Sequence, residues 1–568
     1  MSPRPTGSLP RRPSPDGARR ALARLLPGRS DYRGLRASWR GDVVAGITVG
    51  VVALPLALAF AIAAGLSASV GLTTAIVAGL VAGVFGGSNL QVSGPTGAMA
   101  VVLLPVVARY GAGSIDAVGL MAGILVLAAG VGRLGRAVAY VPWPVVEGFA
   151  VGIAVIIVLE EVPAALGVTK PGGSGTAVVA FHAVRRGAAA PGWQSLVVVG
   201  VVAALMVGLP RLHRSVPASL LGVVAATGLA GVAGWRLPRI GALPSSLPAP
   251  ALPSLVHAPQ LVSAAVAVAV LAAMESLLSA KVADALVDVA PCDPDRELVG
   301  QGLASVASAL FGGMPSTGAI ARTAVNARAG ARTRLSAIVH SLTLLVVVLA
   351  AGSLVARIPL AALAGVLMVT AVRMVDPDNI RSVLRSTRSD AAVLVLTAVA
   401  TVAFNLIVAI EIGLVVAGIL ALLHLARSAT FTAERLAPDH GPGGDEHDLL
   451  AEHILVYRID GPLFFAVSQR FLEEFTAVSG VRVVILRLAD VQGLDASAAH
   501  ALGDIVEHLE RRGITVLLKG VRVEHLRILE AVGSLDRLAH EHHVFDDLPA
   551  AVAHARAHAG RVARPEAG

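Results

Sequence analysis

From about Asp42 to Arg427 the chain is a succession of apolar runs separated only by short polar breaks. This feature restricts the possible folds more than any motif does. Soluble hydrophobic cores stop growing at about 250–300 residues, so one core could not hide so much apolar surface. A bilayer accepts it readily, as helices of about 20 apolar residues each. Composition agrees: mean hydropathy is +0.75 and only 15% of the 568 residues are charged, against about 25% in soluble proteins. The lipid bilayer is therefore an expected partner.

The formal net charge of +8 does not signal nucleic acid, since no basic stripe with interleaved aromatics is present. Arginines gathered in cytoplasmic loops are what membrane insertion requires. The single cysteine, Cys292, excludes a disulfide framework and a cysteine-based metal cluster. Residues 1–41 carry ten arginines and no signal-peptide core with a cleavage site, so they are expected to form a cytoplasmic tail.

Fourteen spans are predicted. Seven lie near 43–62, 70–86, 96–109, 115–132, 141–160, 194–210 and 217–233. Seven more lie near 261–280, 297–312, 317–327, 335–356, 358–374, 390–407 and 409–426. The two sets flank a Pro-rich break at 237–259. With the N-terminus inside, the cytoplasmic ends carry Arg133, Arg136, Arg211, Arg214, Lys281, Arg328, Arg332, Arg334, Arg381, Arg385, Arg388 and Arg427. The outer loops hold fewer basic residues, as the positive-inside rule demands, and both termini come out cytoplasmic.

The third and tenth spans are short, and each follows a Gly/Pro cluster: Val92-Ser93-Gly94-Pro95-Thr96-Gly97-Ala98 and Met314-Pro315-Ser316-Thr317-Gly318-Ala319. Their Thr-Gly-Ala triplets are 221 positions apart, about one repeat. Seven is an odd number, so the second repeat must insert upside down relative to the first. Broken helices at matching places in inverted repeats point to a binding site near the midplane. Each would present unpaired N–H groups and about half a positive charge at its start. Two facing each other favour an anion. Ser93, Thr96, Ser316 and Thr317 supply hydroxyls, and Gly94, Gly97, Ala98, Gly318 and Ala319 let an anion approach backbone.

Arg322 lies four residues after Gly318 and is expected on the same helix face. An arginine inside a span is a functional candidate by default. Glu275 lies about 20 Å along its helix at 1.5 Å per residue, with Ser279 one turn further on. A carboxylate there pairs with a cation such as Arg322 or takes up a proton, and either would couple transport to a second species. Glu147, Glu160, Glu161 and Glu411 lie nearer predicted helix ends and are read as interfacial.

The segments AGITVGVVALPLALAFAIAAG (45–65), QVSGPTGAMA (91–100), ESLLSAKVAD (275–284) and ELVGQGLASVASALFGGMPSTGAIARTAVNARAGARTRLSA (297–337) resemble the SulP family of anion transporters, also called solute carrier family 26. The resemblance implies an α-helical polytopic membrane protein of fourteen spans in two seven-span inverted repeats, with core and gate subdomains and usually a dimer. It implies an anion site between spans three and ten, flanked by spans one and eight. The family's span-eight carboxylate falls on Glu275 and its span-ten arginine on Arg322. The span-one glutamine of many members falls on Leu56, as in a bacterial branch that includes proton-coupled C4-dicarboxylate carriers. Sodium-dependent bicarbonate members use an aspartate and a threonine where this chain has Glu275 and Ile320. Coupling to protons is therefore expected over sodium.

After a polar linker, residues 452–560 alternate strand and helix patterns. Strands are predicted at 453–459, 481–488 and 514–520, and helices at 468–476, 496–511, 523–532 and 548–559. Such alternation argues for a small α/β domain, and it resembles the STAS domain. The expected organisation is a tail at 1–41, a membrane domain at 42–427 with repeats at 42–235 and 258–427, a linker at 428–451, the STAS domain at 452–560 and a tail at 561–568. Asp495-Ala496-Ser497 matches that domain's phosphorylation loop, which makes Ser497 a regulatory candidate, while Asp495 by itself reads as a helix cap. The histidines in 539–543 lack metal-ligand spacing, and no metal or cofactor is read from the sequence.

The expected function is secondary active transport of a small anion of the sulfate, bicarbonate or C4-dicarboxylate class, by symport with protons or by exchange. The expected location is the inner (plasma) membrane. A membrane-anchored STAS signalling protein would not need Glu275, Arg322 and two matched broken helices. A nucleobase carrier of the same fold would need groups that hydrogen-bond a planar ring, which Arg322 opposes. No nucleophile–base pair stands out, so an enzyme is not expected.

Overall fold

The structure, a computed structural model, describes residues 25–32, 34–138, 142–171, 175–189, 192–212, 217–241, 243, 246–287, 290–403, most of 412–422, 430–433, 453–464, 480–540 and 543–561. The chain divides into two compact units, residues 1–414 and 415–568.

The first unit is helical. Its long elements are α1 (Leu35–Ala63), α2 (Ala68–Phe85), α3 (Gly97–Tyr110), α4 (Ser114–Val131), α5 (Trp143–Ala165), α6 (Thr176–Ala189), α7 (Trp193–Leu212) and α8 (Ala218–Val232). They continue with α9 (Ala258–Leu286), α10 (Pro294–Leu310), α11 (Ile320–Arg328), α12 (Leu335–Val355), α13 (Leu360–Met374), α14 (Pro377–Ser386) and α15 (Arg388–Ala403). Two-residue strands, β1 (Ser93–Gly94) and β2 (Thr317–Gly318), precede α3 and α11. Seven of the described helices are long and apolar enough to cross a membrane. Thirteen predicted spans fall on described helices, the first helix starting eight residues earlier than expected and α9 ending six later; the fourteenth, 409–426, falls mostly outside the described residues, as does Glu411. Two helices were not expected from apolar runs: α6 and α14 are amphipathic and join the spans on either side.

Helix ends follow local chemistry. After α1 the chain turns at Gly65 (φ +78°), and the Leu66 N–H reaches the Ala61 carbonyl at 2.9 Å, the six-to-one bond of a Schellman stop. Asp293 caps α10 by accepting from the Asp295 and Arg296 N–H groups at 3.1 and 3.2 Å, and Pro294 occupies the first helical position, where its missing N–H costs nothing.

The helices pack as two groups. One combines α1–α4 with α9–α12: α10 lies against α4 and α2, α12 against α1 and α2, and α9 against α4 and α11. The other combines α5–α8 with α13–α15: α5 packs on α15 and α13, and α7 on α8 and α13. Each group takes corresponding helices from both halves of the sequence, the arrangement that inverted repeats produce. Val262, Val266 and Val270, four residues apart on α9, are 50%, 45% and 41% exposed. An outward stripe of this kind suits lipid and not water.

The second unit has a sheet of order β3-β4-β5-β7-β8, with β6 also pairing β4. Its strands are β3 (Thr430–Ala433), β4 (Ile454–Leu463), β5 (Val483–Arg487), β6 (Val491–Leu494), β7 (Thr515–Lys519) and β8 (Val544–Phe545). Only the β3–β4 pair is antiparallel among these. Alternate residues of β5 serve opposite faces. Val484 and Leu486 join Leu502, Ile505 and Leu509 of α16 (Ala496–Arg511) and Leu529 of α17 (Val523–Val532). Val483 and Ile485 join Ala551 and Ala555 of α18 (Leu548–Arg561). A parallel strand covered on both faces reads as a continuous apolar run, as VVIL does. The segment expected as linker contains β3, whose four residues gain their structure by pairing with β4. The helix expected at 468–476 and the tails at 1–24 and 562–568 lie outside the described residues.

Candidate functional site

The two Gly/Pro clusters meet. Ser93 pairs with Gly318 and Gly94 with Thr317 in an antiparallel ladder, and the Ala319 N–H donates to the Val92 carbonyl at 2.9 Å. This miniature sheet sets the starts of α3 and α11 beside each other. Thr96 caps α3, its hydroxyl 3.5 Å from the Met99 N–H. Ala319 stands at the cap position of α11 and offers no side-chain acceptor, so the first N–H groups of that helix retain their positive end.

Helix α9 crosses both starts. Thr96 and Thr317 each donate a hydroxyl hydrogen bond to Oε2 of Glu275, at 2.9 and 2.8 Å. The Gly318 N–H donates to Ser276 Oγ at 3.0 Å, and Ser279 Oγ donates to Thr323 Oγ1 at 3.0 Å. Glu275 keeps part of its surface open, although Thr96, Thr317, Ser276 and Ser279 around it are buried. Two close approaches explain the glycines. Gly94 has φ +155°, and a Cβ there would lie 2.6 Å from Arg322 Nη1; a Cβ on Gly318 would lie 1.9 Å from Gln91 Nε2.

Arg322 is buried, 2% exposed. Its position corrects two expectations. Gly318 belongs to β2 and not to α11, so the two residues share no helix face. Nor does Arg322 form an ion pair with Glu275 among the described residues. Its Nη2 donates to the Pro95 carbonyl at 2.5 Å, and its Nη1 lacks a hydrogen-bond partner. The remaining candidates diverge. Ser93 Oγ accepts from Gln301 Nε2 at 2.5 Å, while Ser316 Oγ is buried without a partner. Gly97 faces Phe60 and Ile157. Ala98 and Ala319 are buried, whereas Ile320 is 40% exposed.

A second network supports the loop before β1, and the sequence assigned it no role. Oε2 of Glu297 on α10 accepts the Gly87 and Ser88 N–H groups at 2.8 and 3.0 Å. Its Oε1 accepts Gln91 Nε2 at 2.8 Å and Gln301 Nε2 at 2.9 Å. Arg334 holds the end of α2 and the start of the same loop through the Val84 and Gly86 carbonyls, both at 3.0 Å. Nearby, Arg296 grips Asp31 with two bonds of 2.8 Å and holds that carboxyl down at about 2. The local signal for this network was an acid inside an apolar run with glutamine four residues later, one helix turn on. His340 on α12 is fully buried, with neither ring nitrogen partnered.

The other acids separate. Glu147 accepts from Trp143 Nε1 at 2.9 Å and Asn379 Nδ2 at 3.0 Å. Glu161 is buried, 8% exposed, four residues before the end of α5. In the second unit Asp495 caps α16 by accepting the Ala498 N–H at 2.8 Å, and Ser497 is exposed on its first turn.

Two opposed half-helices, latched by Glu275 of a third helix, within two helix groups that each draw on both halves of the sequence and ahead of an α/β domain, define a membrane transporter for small anions. The sequence profile described as "Sulfate permease family" matches residues 39–397, and the STAS domain matches 450–551. The chain belongs to the sulfate permease family, whose members are transporters and not enzymes. It is 33% identical over 517 residues to the Bacillus subtilis (strain 168) protein named "Putative sulfate transporter YvdB", covering 88% of this chain and 95% of that one. It is 31% identical over 534 residues to the bicarbonate transporter BicA of Synechocystis sp., covering 89% and 93%. The solved structure of SLC26A9 superimposes with a TM-score of 0.84 at 17% identity over 99% of both chains, a likeness of fold.

Proposed function

We propose that this chain is a secondary active transporter that moves a small oxyanion or C4-dicarboxylate together with a proton, or in exchange for another anion. Sulfate and bicarbonate come first among the candidates, because the relatives' names carry them. The substrate site lies between the starts of α3 and α11, with Ser93, Gly94, Thr96, Gly97, Ala98, Ser316, Thr317, Gly318, Ala319 and Arg322 as its surroundings and Glu275 and Ser279 as the coupling side.

One observation carries this reading: the hydroxyls that open the two half-helices converge on a single carboxylate oxygen. An ionised Glu275 occupies the donors that an anionic substrate needs. A proton on Glu275 removes the like charge and releases Thr96 and Thr317 to the substrate, while the helix starts and Arg322 supply positive potential. Anion and proton then bind together, which is the condition for symport. The protein works in the inner membrane with both termini cytoplasmic, as a homodimer, with the proton favoured over sodium as its coupling ion.

Uptake of labelled sulfate, bicarbonate, fumarate and succinate into proteoliposomes, with a proton gradient, a sodium gradient or none, tests this. The expected result is saturable uptake stimulated by an inward proton gradient. Glu275→Gln should abolish that stimulation while sparing exchange, and Arg322→Ala should weaken apparent affinity at least about tenfold, the loss of about 1.4 kcal/mol. Uptake that survives both substitutions unchanged would sink the site assignment.

A further inference from the structure

In the α/β unit the fold gathers histidines that the sequence scatters. His554 and His558 are one turn apart on α18 and share a face. The chain entering β8 brings His543 against them. Ring centroids lie 5.4 Å apart for His543 with each of the two, and 4.8 Å apart for His554 with His558. One ligand nitrogen from each of the three falls within 4.8 Å of the others. His543 is fully buried, yet neither of its ring nitrogens has a hydrogen-bond partner, and Nε2 of His554 also lacks one. A buried polar atom left unpaired costs about 1–3 kcal/mol, so a cluster of them asks for an occupant.

We propose that His543, His554 and His558 form a site for a divalent transition metal, zinc first, that clasps α18 to the edge of the sheet. The donor set selects the metal. Three imidazoles and no carboxylate suit zinc, nickel or copper and reject magnesium and calcium. Tetrahedral zinc at about 2.0–2.1 Å from each nitrogen separates its ligands by roughly 3.4 Å. Modest rotation of the two α18 side chains closes the observed spread. The fourth position falls to water, with His540 alongside, its ring centroid 5.3 Å from that of His543. A metal-bound histidine usually donates its other N–H to a carbonyl, and the Val516 backbone stands beside His543, short of hydrogen-bond geometry. The expectation that residues 539–543 lack metal-ligand spacing concerned one segment alone; two of the three ligands come from a helix that begins after β8. The metal would tie the C-terminal helix to β8, which pairs with β7.

The test uses the full-length protein in detergent, purified without a polyhistidine tag, stripped with chelator and dialysed against ZnCl2 or MgCl2. Metal counting by mass spectrometry should find about one zinc per chain and no retained magnesium. The double variant His554→Ala/His558→Ala should weaken zinc binding at least about tenfold while eluting as the parent does on size exclusion. In the unsubstituted protein, Co2+ should give tetrahedral visible bands that zinc displaces, a readout that needs no variant. Equal zinc in parent and double variant, or no zinc above the magnesium control together with no cobalt bands, overturns the proposal.

Discussion

Glu297 shows what one buried carboxylate does for the site. It accepts four hydrogen bonds, from Gly87, Ser88, Gln91 and Gln301, and is 1% exposed. Replacing it by alanine removes the acceptor of four donors, of which Gln301 Nε2 keeps Ser93 Oγ as a partner. Each stranded donor costs about 1–3 kcal/mol, so Glu297→Ala should destabilise the membrane unit by at least about 3 kcal/mol even after partial relaxation. Glu297→Gln keeps the shape and part of the acceptance and should cost less. Scanning fluorimetry in detergent checks the order; an alanine variant that melts with the parent would show that the clamp bears no load. The loop partners of Glu297 lie 206 to 210 positions away in sequence, so no local pattern announced them. Thr96 and Thr317 were legible, because each opens a Thr-Gly-Ala triplet and the triplet is repeated.

Elements with local punctuation were legible, and those that depend on a neighbour were not. Helices α16 and α17 fall where the sequence places them, since Asp495 starts one and Gly533, at φ +73°, stops the other. Strand β3 has only four residues and exists through β4. The opposed half-helices combine both cases: their Gly/Pro clusters are visible in sequence, whereas the β1–β2 ladder between them is tertiary. At Gly94 a side chain would disturb that ladder, because its Cβ would press on Arg322 Nη1 from a backbone angle that L-residues rarely adopt. Overpacking of this kind costs about 1–3 kcal/mol, enough to displace the guanidinium from the Pro95 carbonyl. Gly94→Ala should therefore lower anion uptake at least about tenfold with the protein still inserted. Uptake at the parental rate in proteoliposomes would show that the Arg322 position has no bearing on transport.

At the scale of the membrane unit, the two helix groups meet along few surfaces: α1 against α13, α8 and α5, and α3 against α5. Transport by alternating access moves one group against the other about the central site, so these thin contacts have to stay smooth. Gly97 marks the most sensitive of them. It begins α3, and a Cβ there would lie 2.6 Å from Cδ1 of Ile157 on α5 and 3.0 Å from Cε1 of Phe60 on α1. A branched side chain at this point would wedge between the groups as well as intrude on the start of the half-helix. Gly228, within α8, is the control, since a Cβ there meets nothing within 4 Å. Gly97→Val should abolish anion uptake and Gly228→Val should leave it within about twofold, both variants being reconstituted in equal amount. The contact matters to movement and not merely to folding if Gly97→Val melts within a few degrees of the parent yet carries no anion. A valine at 97 that transports normally would place the moving surface elsewhere.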